Sequence, residues 1–352
     1  MTDMSLASGI ALAAAMALCA GVIVLLFPLL RRYALARPNA RSSHRIPTPQ
    51  GGGIAIVAAT LLVVGAAIAI TSAFGSVSRE LASVAACTAI LAVIGAVDDI
   101  RPLEAMPRLL LQALIVMALV TVLPATLRVV PFLPWWVERA LMVLALVWLV
   151  NLTNFMDGID WITVAEVVPV TAALGVFGLL GALPGDATLI AFALCGATLG
   201  FAPFNRPPAR LFMGDVGSLP IGLLLGWLLI HLAEHHFAAA LLLPLYYLAD
   251  ATITLLRRWR NSEALMTSHR SHFYQRALDG GMPVMVIVGW VFVLNLALAG
   301  LALTAWWAPI ASAPAILCGI ALVGYTLVRF ERYACLAART NQAQRDESAG
   351  SR

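Results

Sequence analysis

The chain has 352 residues, 61% of them hydrophobic and only 11% charged, with a mean hydropathy of +0.92. That balance excludes a soluble globular protein and gives no sign of nucleic-acid binding; it places the chain among polytopic membrane proteins. The net charge of +4 comes from arginine alone, since lysine is absent and all 22 basic residues are arginine.

A helix needs about 20 apolar residues to cross the hydrocarbon core. By that measure apolar runs predict eleven spans, at roughly 7–30, 53–73, 81–98, 108–126, 138–153, 163–182, 187–203, 217–233, 237–256, 283–304 and 309–329. The first is expected to be a true span rather than a secretory leader, because it is long, lacks a basic start and ends in Arg31-Arg32. The fold class expected is an all-α integral membrane bundle of about 11 transmembrane helices, with 10 as the alternative count. Residues 1–330 read as one transmembrane domain, and 331–352 as a polar, disordered tail. The five cysteines are scattered with no metal-binding spacing and read as small buried hydrophobes.

An odd number of spans puts the termini on opposite sides. The loops at 31–52, 99–107, 151–162, 204–216 and 257–282 then share a side with the tail, and the ends and loops on that side carry 19 of the 22 arginines. The positive-inside rule makes this side cytoplasmic and the N-terminus external.

Every unusual polar cluster falls on that side. Arg41-Ser42-Ser43-His44-Arg45 leads to Pro47-Thr48-Pro49-Gln50 and the glycines 51–53, and the third span ends in Asp98-Asp99. After the fifth span comes Asn151-Leu152-Thr153-Asn154-Phe155-Met156-Asp157-Gly158-Ile159-Asp160, whose polar residues recur every third position and would share one side of a helical turn. Asn205, then Phe212-Met213-Gly214-Asp215, follow the seventh span, and His269-Arg270-Ser271-His272 the ninth. Polar groups at membrane depth are costly unless satisfied, so this convergence suggests one composite site.

Asp98, Asp99, Asp157, Asp160 and Asp215 would repel one another if uncompensated. A hard divalent cation resolves the repulsion: Mg2+, or Mn2+ in its place, takes one or two carboxylates and leaves positions for phosphate oxygens. Gly51 to Gly53 could let backbone N–H groups approach phosphate. Asp250 lies inside the ninth span, either functional or holding an arginine such as Arg257, while His231, Glu234, His235 and His236 read as a solvated external loop. Phosphoryl transfer involving a lipid suits such a site. An ion-coupled transporter fits less well, since its acids would lie near the midplane on repeated halves.

The motifs Pro-Thr-Pro-x-Gly-Gly-Gly, Asp-Asp, Asn-x-x-Asn-x-x-Asp-Gly-x-Asp and Phe-Met-Gly-Asp-x-Gly-Ser, followed by a histidine loop, stand in one order over about residues 30–280. In this the chain resembles the polyprenyl-phosphate N-acetylhexosamine-1-phosphate transferases (glycosyltransferase family 4), and most of all the branch that initiates O-antigen on undecaprenyl phosphate. The cell-wall phospho-MurNAc-pentapeptide translocase is the alternative, but its triple-histidine loop is interrupted here by Arg270 and Ser271.

The resemblance implies transfer of a sugar-1-phosphate from a UDP-N-acetylhexosamine to undecaprenyl phosphate in a bacterial inner membrane, for O-antigen, lipopolysaccharide or another envelope glycan. It implies Asp215 and Asp157 as Mg2+ ligands, and Asp98, Asp99, Asp157 and His272 as catalytic residues. Asn154, Asp160, Asn205, Phe212, Arg45, His269 and Arg270 would bind substrate. Where relatives often carry lysine, Arg45, Arg101 or Arg108 is the nearest equivalent here, which keeps the charge but not a tunable proton. A homodimer is compatible with the sequence, which does not identify the sugar.

Overall fold

The computed structural model describes residues 2–36, 47–71, 78–264 and 269–350. The chain order is α1 (Thr2–Tyr33), β1 (Leu35–Ala36), β2 (Thr48–Pro49), α2 (Gly53–Thr71), α3 (Arg79–Ile100), α4 (Ala105–Val122), α5 (Trp135–Met156) and α6 (Ile162–Leu179). It continues through α7 (Gly185–Asn205), α8 (Asp215–Leu242), α9 (Leu245–Arg260), α10 (Phe273–Asp279), α11 (Val284–Trp307) and α12 (Ser312–Gly350). The two short strands pair antiparallel, Leu35 opposite Pro49 and Ala36 opposite Thr48. Among the described residues, ten helices are long and apolar enough to cross a membrane. The protein is thus a multi-pass helical membrane protein.

The span expected at 237–256 takes a different form. Helix α8 breaks at His236, whose backbone leaves helical geometry (φ −136°, ψ 57°). The return is made by two pieces, 237–242 and α9, interrupted at Leu243-Pro244, where proline cannot supply a helical N–H. His236 lies beside Trp306 at one end of α11. Leu242 lies where a side chain on Gly319 of α12 would press. Arg257, at the far end of α9, reaches Glu331 of α12 at 3.3 Å. The chain therefore reverses at His236 and runs back along α11 and α12 as a broken helix, and this return is not among the ten helices long and apolar enough to cross, the alternative count.

Helix α8 is the hub. Its residues from Val216 to Leu232 are all buried, and it packs against α2, α3, α5 and α11. Two glycines make the closest approaches possible. A Cβ on Gly95 of α3 would collide with the Asp215 backbone, and one on Gly53 of α2 with Gly217. The N-terminus of α8 is thereby seated where α2 and α3 meet.

Three expectations change at the periphery. His231 is buried in α8 rather than in a solvated loop, its Nε2 2.7 Å from Glu80, which also accepts the Trp227 indole N–H at 2.8 Å. Cys318 and Cys335 are exposed, while Cys19, Cys87 and Cys195 are buried. The tail expected to be disordered continues α12 to Gly350, over a stretch rich in alanine, arginine, glutamine and glutamate, which favour helix.

Candidate active site

The site assembles around the start of α8. Asp99, near the end of α3, points both carboxylate oxygens at this terminus: Oδ1 accepts from the Asp215 N–H at 2.9 Å and Oδ2 from the Val216 N–H at 3.2 Å. These N–H groups belong to the first turn, which has no intrahelical acceptors, so an anionic cap satisfies them and complements the helix dipole. Asp98, its neighbour, is buried and faces another way. Its Oδ1 accepts the Leu103 N–H at 2.6 Å, and its Oδ2 pairs with Arg108. The same Arg108 nitrogen lies 3.4 Å from Asp215 Oδ2. Asp98, Arg108 and Asp215 thus form one acid–base–acid cluster drawn from α3, α4 and α8.

The glycine-rich stretch has a role other than the one expected. Gly52 N–H donates to Phe212 O and Gly53 N–H to Met213 O, both at 2.9 Å, while Phe212 N–H donates to Pro49 O at 2.8 Å. Gln50 adds a side-chain bond to Asp99 O at 2.8 Å. These backbone donors are spent lacing 49–53 to 212–213 and are not free for phosphate. Sequence spacing could not show this, because a phosphate-binding glycine loop and a laced one use the same residues.

The central stretch also differs from a single helical face. Helix α5 ends at Met156, so only Asn151 and Asn154 are helical. Asn151 donates to Gln112 of α4 and to Val147 O, each at 2.8 Å, whereas Asn154 donates to Ser218 of α8 at 2.9 Å. Asp157 follows the helix end and accepts the Thr163 hydroxyl at 2.5 Å. Burial pushes its carboxyl up to about 6, the nearby Asp99 and Asp160 charges add to the rise, and the Thr163 hydrogen bond opposes it.

Asp160 accepts the Ala209 N–H at 2.9 Å and so joins the loop that carries Phe212. Trp161 sits in the left-handed region at φ 66°, which a tryptophan adopts only under constraint. Asn205 supplies it: its Oδ1 accepts the Trp161 N–H at 2.8 Å while its Nδ2 donates to Leu211 O at 2.9 Å. The Trp161 indole N–H donates to Ala202 O at 2.6 Å. Asn205, Asp160 and Phe212 are together, with Asn205 largely committed to bracing that corner and the Phe212 ring half-buried.

The histidine loop forms the third wall. Tyr274 of α10 is fully buried, its hydroxyl 3.4 Å from Phe155 O and against Gly158. His272 is buried with its Nδ1 3.2 Å from Asp250, and its ring is stacked on His269, centroids 5.0 Å apart. Burial pushes the His269 imidazole down to about 4, with His272 and Arg258 adding to the shift, so it is neutral near pH 7. Arg270 reaches Asp279 at 2.7 Å. Asp250 does not hold Arg257, which goes to Glu331 and over the Phe273 ring. Arg45 and His44 lie outside the described residues.

Two carboxylates, Asp98 and Asp215, share one arginine, while Asp157 accepts from Thr163. Carboxylates paired in this way are the kind of donors that suit Mg2+. Among the described residues, no group of three or more His, Cys, Asp and Glu side chains forms a closed metal site. Sequence reasoning passed over Thr163, Gln112 and Tyr274. Ser218 was visible within the Gly-Asp-x-Gly-Ser motif, and Arg108 only as a replacement for lysine.

The sequence profile described as glycosyl transferase family 4 matches residues 81–233. A decaprenyl-phosphate N-acetylglucosaminephosphotransferase of Mycolicibacterium smegmatis is 30% identical over 330 residues, covering 82% of this chain and 79% of that protein. The chain belongs to glycosyl transferase family 4. A probable undecaprenyl-phosphate N-acetylglucosaminyl 1-phosphate transferase of Bacillus subtilis is 27% identical, over 78% of this chain and 80% of its own length. A phospho-N-acetylmuramoyl-pentapeptide-transferase of Granulibacter bethesdensis is 34% identical but over only 43% of this chain and 46% of its own. As a family 4 member the protein is a membrane-embedded phospho-sugar transferase. The matched profile takes in Asp98, Asp99, Asp157, Asp160 and Asp215.

Proposed function

We propose that this protein transfers an N-acetylhexosamine-1-phosphate from a UDP-sugar to undecaprenyl phosphate, releasing UMP and forming the undecaprenyl diphosphate-sugar that starts an O-antigen or other envelope glycan. One observation carries the reading: two acids from distant helices, Asp98 of α3 and Asp215 of α8, meet at Arg108 of α4, at one end of a largely apolar bundle. A lipid phosphate and a charged nucleotide need such a meeting of apolar wall and ionic floor. The arginine bias supports a cytoplasmic placement of this end in a bacterial plasma membrane.

Asp215 and Asp157, with Asp98, would hold Mg2+. The bound cation would neutralise charge on the donor diphosphate. Arg108 then holds acceptor phosphate while Asp98 orients it for in-line attack on the sugar-bearing phosphorus. A phosphate monoester is already mostly dianionic at pH 7, so alignment and charge neutralisation matter more than a strong base. The new phosphoanhydride replaces the old one and UMP leaves, so no nucleoside triphosphate is consumed. Asp160, Asn205 and Phe212 form the uracil corner, and His269, Arg270 and His272 the wall facing sugar or phosphate. A phosphoenzyme formed on Asp98 with labelled donor and no lipid would replace direct attack by a two-step route.

The test is UMP release from a panel of UDP-N-acetylhexosamines by purified protein with undecaprenyl phosphate and Mg2+. UDP-N-acetylglucosamine goes first, since the relatives matched over most of the chain carry that sugar in their names. Release abolished by EDTA and by Asp215→Asn is the expected result. No release and no binding of any UDP-sugar overturns the proposal.

A further inference from the structure

The proposed reaction leaves the buried acid beside the histidine loop without a role. Asp250 of α9 is fully buried, and among the described residues four donors lie within hydrogen-bond reach of it. Its Oδ1 lies 3.2 Å from His272 Nδ1, 3.2 Å from the Phe273 N–H and 3.3 Å from the Thr254 hydroxyl. Its Oδ2 lies 3.3 Å from the Tyr246 hydroxyl. Among the described residues no arginine forms an ion pair with it. A buried carboxylate without a fixed cation is tolerated only when its lone pairs are filled in this way. Three of the donors can only brace the fold. The fourth is an imidazole, which has two tautomers.

An ionised carboxylate accepts hydrogen bonds and cannot donate them. Nδ1 of His272 must therefore be the donor, so in the neutral imidazole the bare lone pair falls on Nε2. The ring cannot turn to escape this choice. It is 2% exposed and stacked between His269, with centroids 5.0 Å apart, and Tyr274, at 5.9 Å. A carboxylate behind an imidazole also strengthens the outer nitrogen as an acceptor.

We propose that Asp250 is a positioning residue that locks His272 in the Nδ1–H tautomer, so that Nε2 accepts a hydrogen bond from an O–H or N–H of the donor's sugar. A bare phosphate oxygen would bring a lone pair against a lone pair, so His272 held in this tautomer faces sugar rather than diphosphate. The proposal rests on the transferase reading for its substrate, but the tautomer does not depend on that reading.

The experiment labels the six histidines with 15N in the full-length protein in detergent. The His272 signal is assigned by its loss in His272→Gln, and its two ring nitrogens are read near neutral pH. Wild type is expected to show Nδ1 protonated and Nε2 bare, and Asp250→Ala, which removes the acceptor, to lose that preference. Asp250→Asn leaves Oδ1 as the acceptor for both the Phe273 N–H and the His272 Nδ1–H, so it should keep the wild-type tautomer and serves as the control. A role confined to bracing the fold would lower turnover of Asp250→Ala with all donors alike. A positioning role instead lowers its kcat/KM for the preferred UDP-sugar about 10–100-fold, lowers it less for poorer donors, and adds nothing to His272→Gln in the double variant. Nε2 protonated in the wild type, or a folded Asp250→Ala protein with wild-type tautomer and donor preference, overturns the proposal. A wild type silent with every donor overturns the transferase reading, while the nitrogen signals still decide the tautomer.

Discussion

Asp99 and Asp215 are bound through the backbone rather than through a shared ligand: the Asp99 carboxylate caps the helix that Asp215 begins, Oδ1 to N–H at 2.9 Å. The adjacent pair Asp98-Asp99 therefore divides its work. One acid faces Arg108 and the ionic floor, and the other sets where the facing acid stands.

This division separates two substitutions that look alike in sequence. Asp99→Asn should lower the unfolding temperature and abolish UMP release together, since loss of a helix cap costs about 1 kcal/mol and displaces Asp215. Asp98→Asn should abolish release with far less change in unfolding temperature. Thermal unfolding in detergent, followed alongside turnover, makes the comparison. An Asp99→Asn protein as stable as wild type yet inactive would assign Asp99 direct chemistry instead.

Gly53→Ala tests the seam between α2 and α8. The added methyl meets the Gly217 backbone, which cannot yield as a flexible side chain would. Overpacking of this kind costs about 1–3 kcal/mol. The variant should give less folded protein and a lower unfolding temperature, with Mg2+ unable to restore either. Unchanged stability would show that the two helices are not in contact there.

Asn205→Ala leaves the Trp161 N–H and Leu211 O without their side-chain partner, at a cost of about 1–3 kcal/mol. Trp161 would relax from its left-handed backbone, and Asp160 and Phe212 would move with it. The expected kinetic sign is a higher KM for the UDP-sugar with KM for the lipid little changed. Equal effects on both substrates would argue against a nucleotide corner.

Asp157 supplies the pH dependence. Its carboxyl is raised from 3.8 to about 6, so the fold disfavours its charged form, and the stability linked to this group falls as pH rises from 3.8 to about 6. In the proposed mechanism cation binding by Asp157 needs the charged form and therefore has the opposite sign, weakening as pH drops below about 6. At limiting Mg2+, kcat/KM should rise through an apparent pKa near 6. Thr163→Val removes the hydrogen bond that lowers this value and should move the acid limb to higher pH. An acid limb indifferent to Thr163 would place the controlling group elsewhere.

The membrane fold was legible because length and apolarity identify a crossing almost without context. The return after His236 was harder, since Pro244 and the polar face of α9 divide the expected span into two pieces that hydropathy smooths together. The acids were legible as a set, because their cost at a membrane surface demands an explanation. Their partners were not. Whether Asn151 faces Gln112 or the site, and whether Gly52 donates to Phe212 or to phosphate, depends on helix rotation and chain proximity. Spacing alone does not encode either. Glu166 illustrates the same limit: it is a buried acid in α6 satisfied by Asn295 at 2.6 Å, a partner 129 residues away.

The lacing of 49–53 to 212–213 also carries a consequence for biogenesis. Residues 49–53 and Asp98-Asp99 emerge from the ribosome long before their backbone partners do; the Asp99–Asp215 bond alone spans 116 positions. During that interval α2 and α3 sit in the bilayer with the capping carboxylate and the β-like edge both unpartnered. The seam and the ionic floor cannot be complete until 212–216 have been made. A chain released before residue 217 should therefore be integrated but catalytically incompetent, and ready to accept the missing half supplied as a separate polypeptide.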